Sequence, residues 1–135
     1  MKKIIAFACV VMLIGLVGCK KKDKVSEGNI VGLWSLEEYE AYGHTVPAVN
    51  EPDWLFKKNH EFQLVEPLDE SIVYGEGTWN LNGKELSIDS EELEFDEGEN
   101  LFRVTKLTSS KLVLESDVYE DGEKAVFTRI FERKD

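Results

Sequence analysis

From Ile30 onward the chain alternates apolar and polar residues with a period of two, the spacing that puts every second side chain on one face of a β-strand. Tyr74–Leu81 places Gly75, Gly77, Trp79 and Leu81 on one face and Glu76, Thr78 and Asn80 on the other. Asn82-Gly83 follows, a pair that tolerates positive φ at both central positions of a type I′ hairpin turn. The return strand, Glu85–Asp89, turns Leu86 and Ile88 inward, and Lys111–Val118 sets Leu112, Leu114, Ser116 and Val118 on one face. The same reading gives strands over 33–41, 54–56, 61–66, 100–107 and 124–132. Trp34–Tyr42 also admits a turn and a half of helix, but no segment offers twelve residues of helical period. Two connections are long, Tyr42–Asp53 and Pro67–Val73; the rest are short turns. Eight consecutive antiparallel strands remove their exposed edges by closing. The pattern therefore predicts an all-β fold, an eight-stranded antiparallel up-and-down β-barrel, with a flattened open sandwich as the alternative.

The first eighteen residues break this pattern. Met1-Lys2-Lys3 is a short positive start, and Ile4–Val17 is an unbroken apolar or small stretch. Fourteen residues of helix rise about 21 Å, short of a hydrocarbon core of ~30 Å, so a signal peptide fits better than a permanent span. Leu16-Val17-Gly18-Cys19 resembles the lipobox of bacterial lipoproteins. That resemblance implies cleavage before Cys19 and lipid on its sulfur, hence a membrane partner. The expected organisation is a signal peptide over 1–18, a lipidated Cys19 with a polar tether to 29, and one barrel domain over 30–135. The run after Cys19 is basic, with Asp23 alone among lysines. It favours a bacterial envelope location at the outer membrane, facing the periplasm.

Composition narrows the function classes. The chain has 135 residues and a formal net charge of −11, and removal of residues 1–18 takes Lys2 and Lys3 away and moves the balance to −13. A body this acidic is no partner for a phosphate backbone, so no nucleic acid is expected. Cys9 leaves with the signal and Cys19 is taken by lipid, so no thiol remains for a disulfide, a metal or a nucleophile.

Ile30-Val31-Gly32-Leu33-Trp34 carries a Gly-x-Trp at the start of the first strand. A second occurs at Gly77-Thr78-Trp79, and the chain closes on Phe127-x-x-x-Phe131-x-Arg133. Together with the Asn-Gly hairpin and the Lys111-Leu112-Val113-Leu114 strand, this set resembles the small bacterial lipocalin-like domains across Ile30–Arg133. The resemblance implies that Gly32 and Trp34 close one barrel end beneath an arginine from the last strand. Arg129 and Arg133 share a parity, so the period leaves both open.

The resemblance also implies a small lipophilic ligand, with Trp54, Phe56, Phe62, Tyr74, Trp79 and Phe102 as the candidate pocket lining. The two long connections should rim a mouth opposite Trp34, with Trp54 and Tyr74 at its inner edges. The ligand should be neutral or cationic, since the acidic body repels an anion unless a basic residue turns inward. Packed aromatics that simply fill the barrel are the competing reading. They would make the protein an interaction or structural module of the envelope whose protein partner the sequence does not name.

Catalytic chemistry finds no purchase. His44 and His60 are the two histidines and both fall in connections. No His-x-His or His-Glu-x-x-His spacing exists for zinc, and no Gly-x-Ser-x-Gly elbow surrounds Ser71, Ser109 or Ser110. The acidic stretch Glu91–Asn100 lacks the spacing of a calcium loop. No enzyme activity, cofactor or metal is expected.

Overall fold

A computed structural model of the protein describes residues 25–90 and 100–135. The signal, the lipobox cysteine and most of the Glu91–Asn100 stretch lie outside the described residues. Within them the chain forms one short helix, α1 (Glu27–Ile30), and nine strands. These are β1 (Gly32–Ala41), β2 (His44–Pro47), β3 (Asp53–Phe56), β4 (Glu61–Glu66) and β5 (Asp69–Asn82), then β6 (Glu85–Asp89), β7 (Leu101–Leu107), β8 (Lys111–Glu120) and β9 (Glu123–Arg133).

All pairings are antiparallel and sequential from β3 to β9. β9 returns to pair with β1 from Trp34↔Arg133 to Glu40↔Thr128, which closes the sheet into an eight-stranded barrel. The segment open to a helical reading, Trp34–Tyr42, is strand through Ala41. Its β-branched and aromatic neighbours on β9 supply the cross-strand contacts a lone helical turn would lack.

The predicted inward faces are the buried ones. On β5, Gly75 and Trp79 are buried and Gly77 and Leu81 are half-buried, while their neighbours are exposed. Leu86, Ile88, Leu112, Leu114 and Ser116 are all fully enclosed.

Three departures matter for the site. Residues 27–29, expected in a polar tether, belong to α1, which with Ile30 docks under the barrel; Val25 packs on the same core. The two connections expected to be long are largely hairpin. Tyr42 and Gly43 take φ of 53° and 76°, a two-residue turn that folds β2 back on β1 from Ala41↔His44 to Glu38↔Pro47. Every residue of β2 is exposed, so it carries no buried alternation for a period to reveal. Pro67-Leu68 is a tight turn, and β5 starts directly after it with Glu66↔Asp69. The outward residues 69–74 are all exposed, which hid the extension.

β1 therefore has two neighbours on one edge. β3 covers its start over Gly32↔Phe56 to Trp34↔Trp54, and β2 covers its end from Glu38 onward. Between them the wall is interrupted, and residues 48–52 arch across the gap.

Candidate functional site

In an up-and-down barrel the turns alternate between two ends. The first end holds α1, Lys57–His60, Asn82–Lys84 and Thr108–Ser110, and it is sealed. Trp34 is fully buried, and its Nε1 donates to the Ile30 carbonyl at 2.8 Å. The Arg133 guanidinium lies 4.3 Å from the Trp34 ring centroid, in the geometry of a cation–π contact. It donates to the carbonyls of Asn29 (2.6 Å), Val31 (3.0 Å) and Ser109 (3.0 Å), so three backbone acceptors hold it in place. Gly32 makes this possible: at φ 145° a Cβ there would collide with Arg133 Nη1. Gly77 of the second Gly-x-Trp acts similarly, since its Cβ would meet the Asp89 carbonyl oxygen where β6 crosses β5. The register decides between the two arginines: Arg133 lies opposite Trp34, and Arg129 lies opposite Tyr39 five residues on.

Arg129 turns into the barrel nearer the other end. Its guanidinium sits 4.7 Å from Phe127, 5.5 Å from Phe102 and 5.9 Å from Trp54, with Ser116 Oγ at 3.5 Å.

Between the two arginines the predicted pocket residues pack on one another. Trp54 is the hub, with ring centroids at 4.9 Å to Phe131, 5.4 Å to Phe62, 5.9 Å to Phe102 and 6.4 Å to Phe56. Phe56 stands edge-on to Trp79 at 5.6 Å. Trp79 Nε1 donates to the Lys57 carbonyl, and His60, hydrogen-bonded to Glu27 at 2.6 Å, stacks on its ring. Trp54, Phe56, Phe62, Trp79 and Phe102 are each no more than 5% exposed. They fill the lower and middle barrel, because eight strands enclose a space just wide enough for side chains to fill; Phe62 and Phe102 each also border a concavity of the barrel wall. Trp54, expected at the rim, is thus a core residue. Tyr74 points the other way, 55% exposed, with its hydroxyl donating to Glu66. It shares the parity of Glu76, Thr78 and Asn80, the outward face of β5, and lies at the irregularity in the β4–β5 pairing.

The concavity both connections share is a groove of about 680 Å³ in the barrel wall, where the β1–β3 pairing ends. Ser35, Leu36 and Glu37 of β1 form one side, Ala48 and Asn50–Asp53 the arch, and Glu66–Leu68 with Tyr74 the other side. Leu36 belongs to the buried core, so the groove reaches the interior packing. Three of its carboxylates have partners, and for one of them the partner is a cation. Asp53, 2% exposed at its side chain, pairs with Lys134 Nζ at 2.6 Å, and Glu66 accepts from Tyr74. Glu51 accepts from the Tyr39 hydroxyl; burial first, and then this bond, push the Tyr39 phenol up to about 12. Tyr39 packs on Phe127 at 5.3 Å and lies opposite Arg129 in the β1–β9 register.

Sequence reasoning placed both connections at one end but missed Glu37, Glu51 and Leu68. One signal was present. The chain has three prolines; Pro52 and Pro67 line the groove and Pro47 ends β2 beside it. Proline removes the N–H that an open strand edge would otherwise leave unpaired.

Among the described residues no three His, Cys, Asp or Glu side chains converge to hold a metal ion, and no helix is long and apolar enough to cross a membrane.

Comparisons with known proteins agree with this architecture. The model of the lipocalin-like domain family matches residues 30–114. A lipocalin-like protein from Bacteroides uniformis superposes with a TM-score of 0.58 at 23% identity, over 79% of this chain and all of that one. An uncharacterized protein from Bacteroides eggerthii does so with a TM-score of 0.54 at 22% identity, over 77% of this chain and 98% of its own. No curated protein sequence matches the chain.

Proposed function

Because the chain belongs to the lipocalin-like domain family, we propose that it is a binding module of the cell envelope, anchored by lipid on Cys19, that holds a small apolar or amphiphilic molecule. The reading includes no catalytic step, cofactor or nucleic acid, and places the protein at the outer membrane facing the periplasm. The observation that carries it is the groove between β1, the 48–53 arch and the Pro67-Leu68 turn. Its volume of about 680 Å³ falls within the ~300–1,000 Å³ of small-molecule sites. The barrel centre, by contrast, is occupied by the Trp54 ring cluster, so the ligand binds at the wall and not in a deep cup.

The same packing favours a second reading, a filled barrel used as a protein-interaction module. Val46, Val49, Leu68 and Ile72 are exposed near the same end, at 54%, 70%, 95% and 46%. Titration of an apolar fluorescent probe separates the two. Micromolar binding that weakens in Tyr74→Ala, with the melting temperature unchanged, supports the ligand site. A wild-type protein that binds no such probe leaves the interaction module.

A further inference from the structure

We propose that the groove selects a cationic amphiphile, an alkylammonium group with an apolar tail, and that Glu37, Glu51 and Glu66 are the residues that read its charge. The inference rests on the binding reading above and goes beyond it by naming the ligand class and the selecting residues.

Charge is left over in the groove after pairing. Of the four carboxylates lining it, Asp53 alone is neutralised by a cation, Lys134; Glu66 accepts from the Tyr74 phenol, which leaves its charge in place. Glu51 accepts from a phenol that burial and this bond keep neutral until about pH 12, so at physiological pH its negative charge stays uncompensated by that partner. Glu37 is exposed on β1, and its backbone carbonyl is already used by Ala48 N–H at 2.8 Å. Among the described residues no lysine or arginine lines the groove. A cation seated among these carboxylates gains from each, in a recess where water screens less than at an open surface.

The apolar part of the lining suits a tail. Leu36 carries the groove down to the core, and Leu68 is 95% exposed beside it. Tyr74 contributes an aromatic ring, the side-chain type that holds quaternary ammonium groups. The net charge of −11 raises the local concentration of cations and depletes anions. Arg129, opposite Tyr39 in the β1–β9 register, is not among the residues that line the groove.

The test uses full-length protein in phosphatidylcholine nanodiscs, with empty nanodiscs subtracted, and calorimetric titration of octyltrimethylammonium, octanol and octanoate. The cation is expected to bind at least tenfold more tightly than octanoate, with octanol between them. In the triple variant Glu37→Gln/Glu51→Gln/Glu66→Gln the preference should fall below threefold while octanol binding is unchanged. The amide oxygens introduced by Glu51→Gln and Glu66→Gln still offer Tyr39 and Tyr74 their acceptors, so the fold is kept. Leu68→Gln should weaken all three probes together. Equal binding of the three probes, or a cation preference that survives the triple substitution, overturns the charge selection and leaves the binding reading intact. Failure of all three to bind the wild type overturns both.

Discussion

At the scale of single residues, the sealed end shows how a short motif becomes a structural device. Gly-x-Trp was legible in the sequence because Gly32 and Trp34 each have a physical task. One is a missing Cβ that lets a guanidinium pass, and the other is a ring for that guanidinium to cover. Which arginine supplies it was not legible, since Arg129 and Arg133 share a parity and only the β1–β9 register separates them. Trp34→Ala should cost ~3–5 kcal/mol in chemical denaturation, the range for a large aromatic lost from a core. Gly32→Ala should also destabilise, by displacing Arg133 from Asn29, Val31 and Ser109. An unchanged denaturation midpoint in either variant would mean that the end is not sealed in this way. Tyr39 gives a pH signature. Its folded pKa of about 12 lies above the ordinary value of 10.0, so the folded state holds the proton more tightly. The stability this contributes is complete below pH 10 and is lost as pH rises through 12. Ultraviolet titration should show one tyrosine ionising with this delay, and Tyr39→Phe should remove that component. Titration of every tyrosine near 10 in the folded protein would contradict the buried pairing with Glu51.

At the scale of elements, the sequence announced those strands that bury one face. Trp79, Leu86, Ile88, Leu112 and Leu114 alternate because the core demands it, and each was readable. β2 and the first half of β5 have no buried side chain, so their hydrogen-bonded ladders left no hydrophobic trace. The groove escaped for the same reason: it exists because the β1–β3 ladder stops at Trp34↔Trp54, an event of pairing and not of composition. What steadies so short a ladder is the Asp53–Lys134 pair, which reaches from β3 to the residue after β9, with Lys134 Nζ also donating to the Pro67 carbonyl at 2.8 Å. Removing one partner of an enclosed ion pair leaves the other charge stranded, at a cost of ~3 kcal/mol or more, whereas removing both is far milder. Lys134→Met should therefore destabilise strongly in urea denaturation, and Asp53→Asn should recover much of the loss when combined with it. Two single losses that simply add in the double variant would show that the pair does not brace the wall.

At the scale of the whole molecule, charge and anchoring act together. Without residues 1–18 the chain carries −13, and an anionic lipid surface repels it, so weak peripheral adsorption cannot hold it there. Two acyl chains can, at ~0.8 kcal/mol per buried CH₂. The described chain begins at Val25, against the core near α1 and the sealed end. Six residues separate Val25 from Cys19, at most about 20 Å of extended chain. On the proposed anchoring, a lipid on Cys19 would keep the sealed end near the bilayer and leave the far end, with the groove beside it, directed into the aqueous compartment. A ligand would reach the groove from solution and would not slide in from the anchoring leaflet. Replacing Cys19 by Ser should abolish lipid attachment and cleavage at this site, and the same chain made without residues 1–18 should move from the membrane to the soluble fraction. Its melting temperature should stay that of the anchored protein, because neither the barrel nor the Trp34–Arg133 seal uses the lipid. A soluble form that still sediments with membranes would show that the barrel surface itself binds lipid, and the groove's outward orientation would then lose its basis.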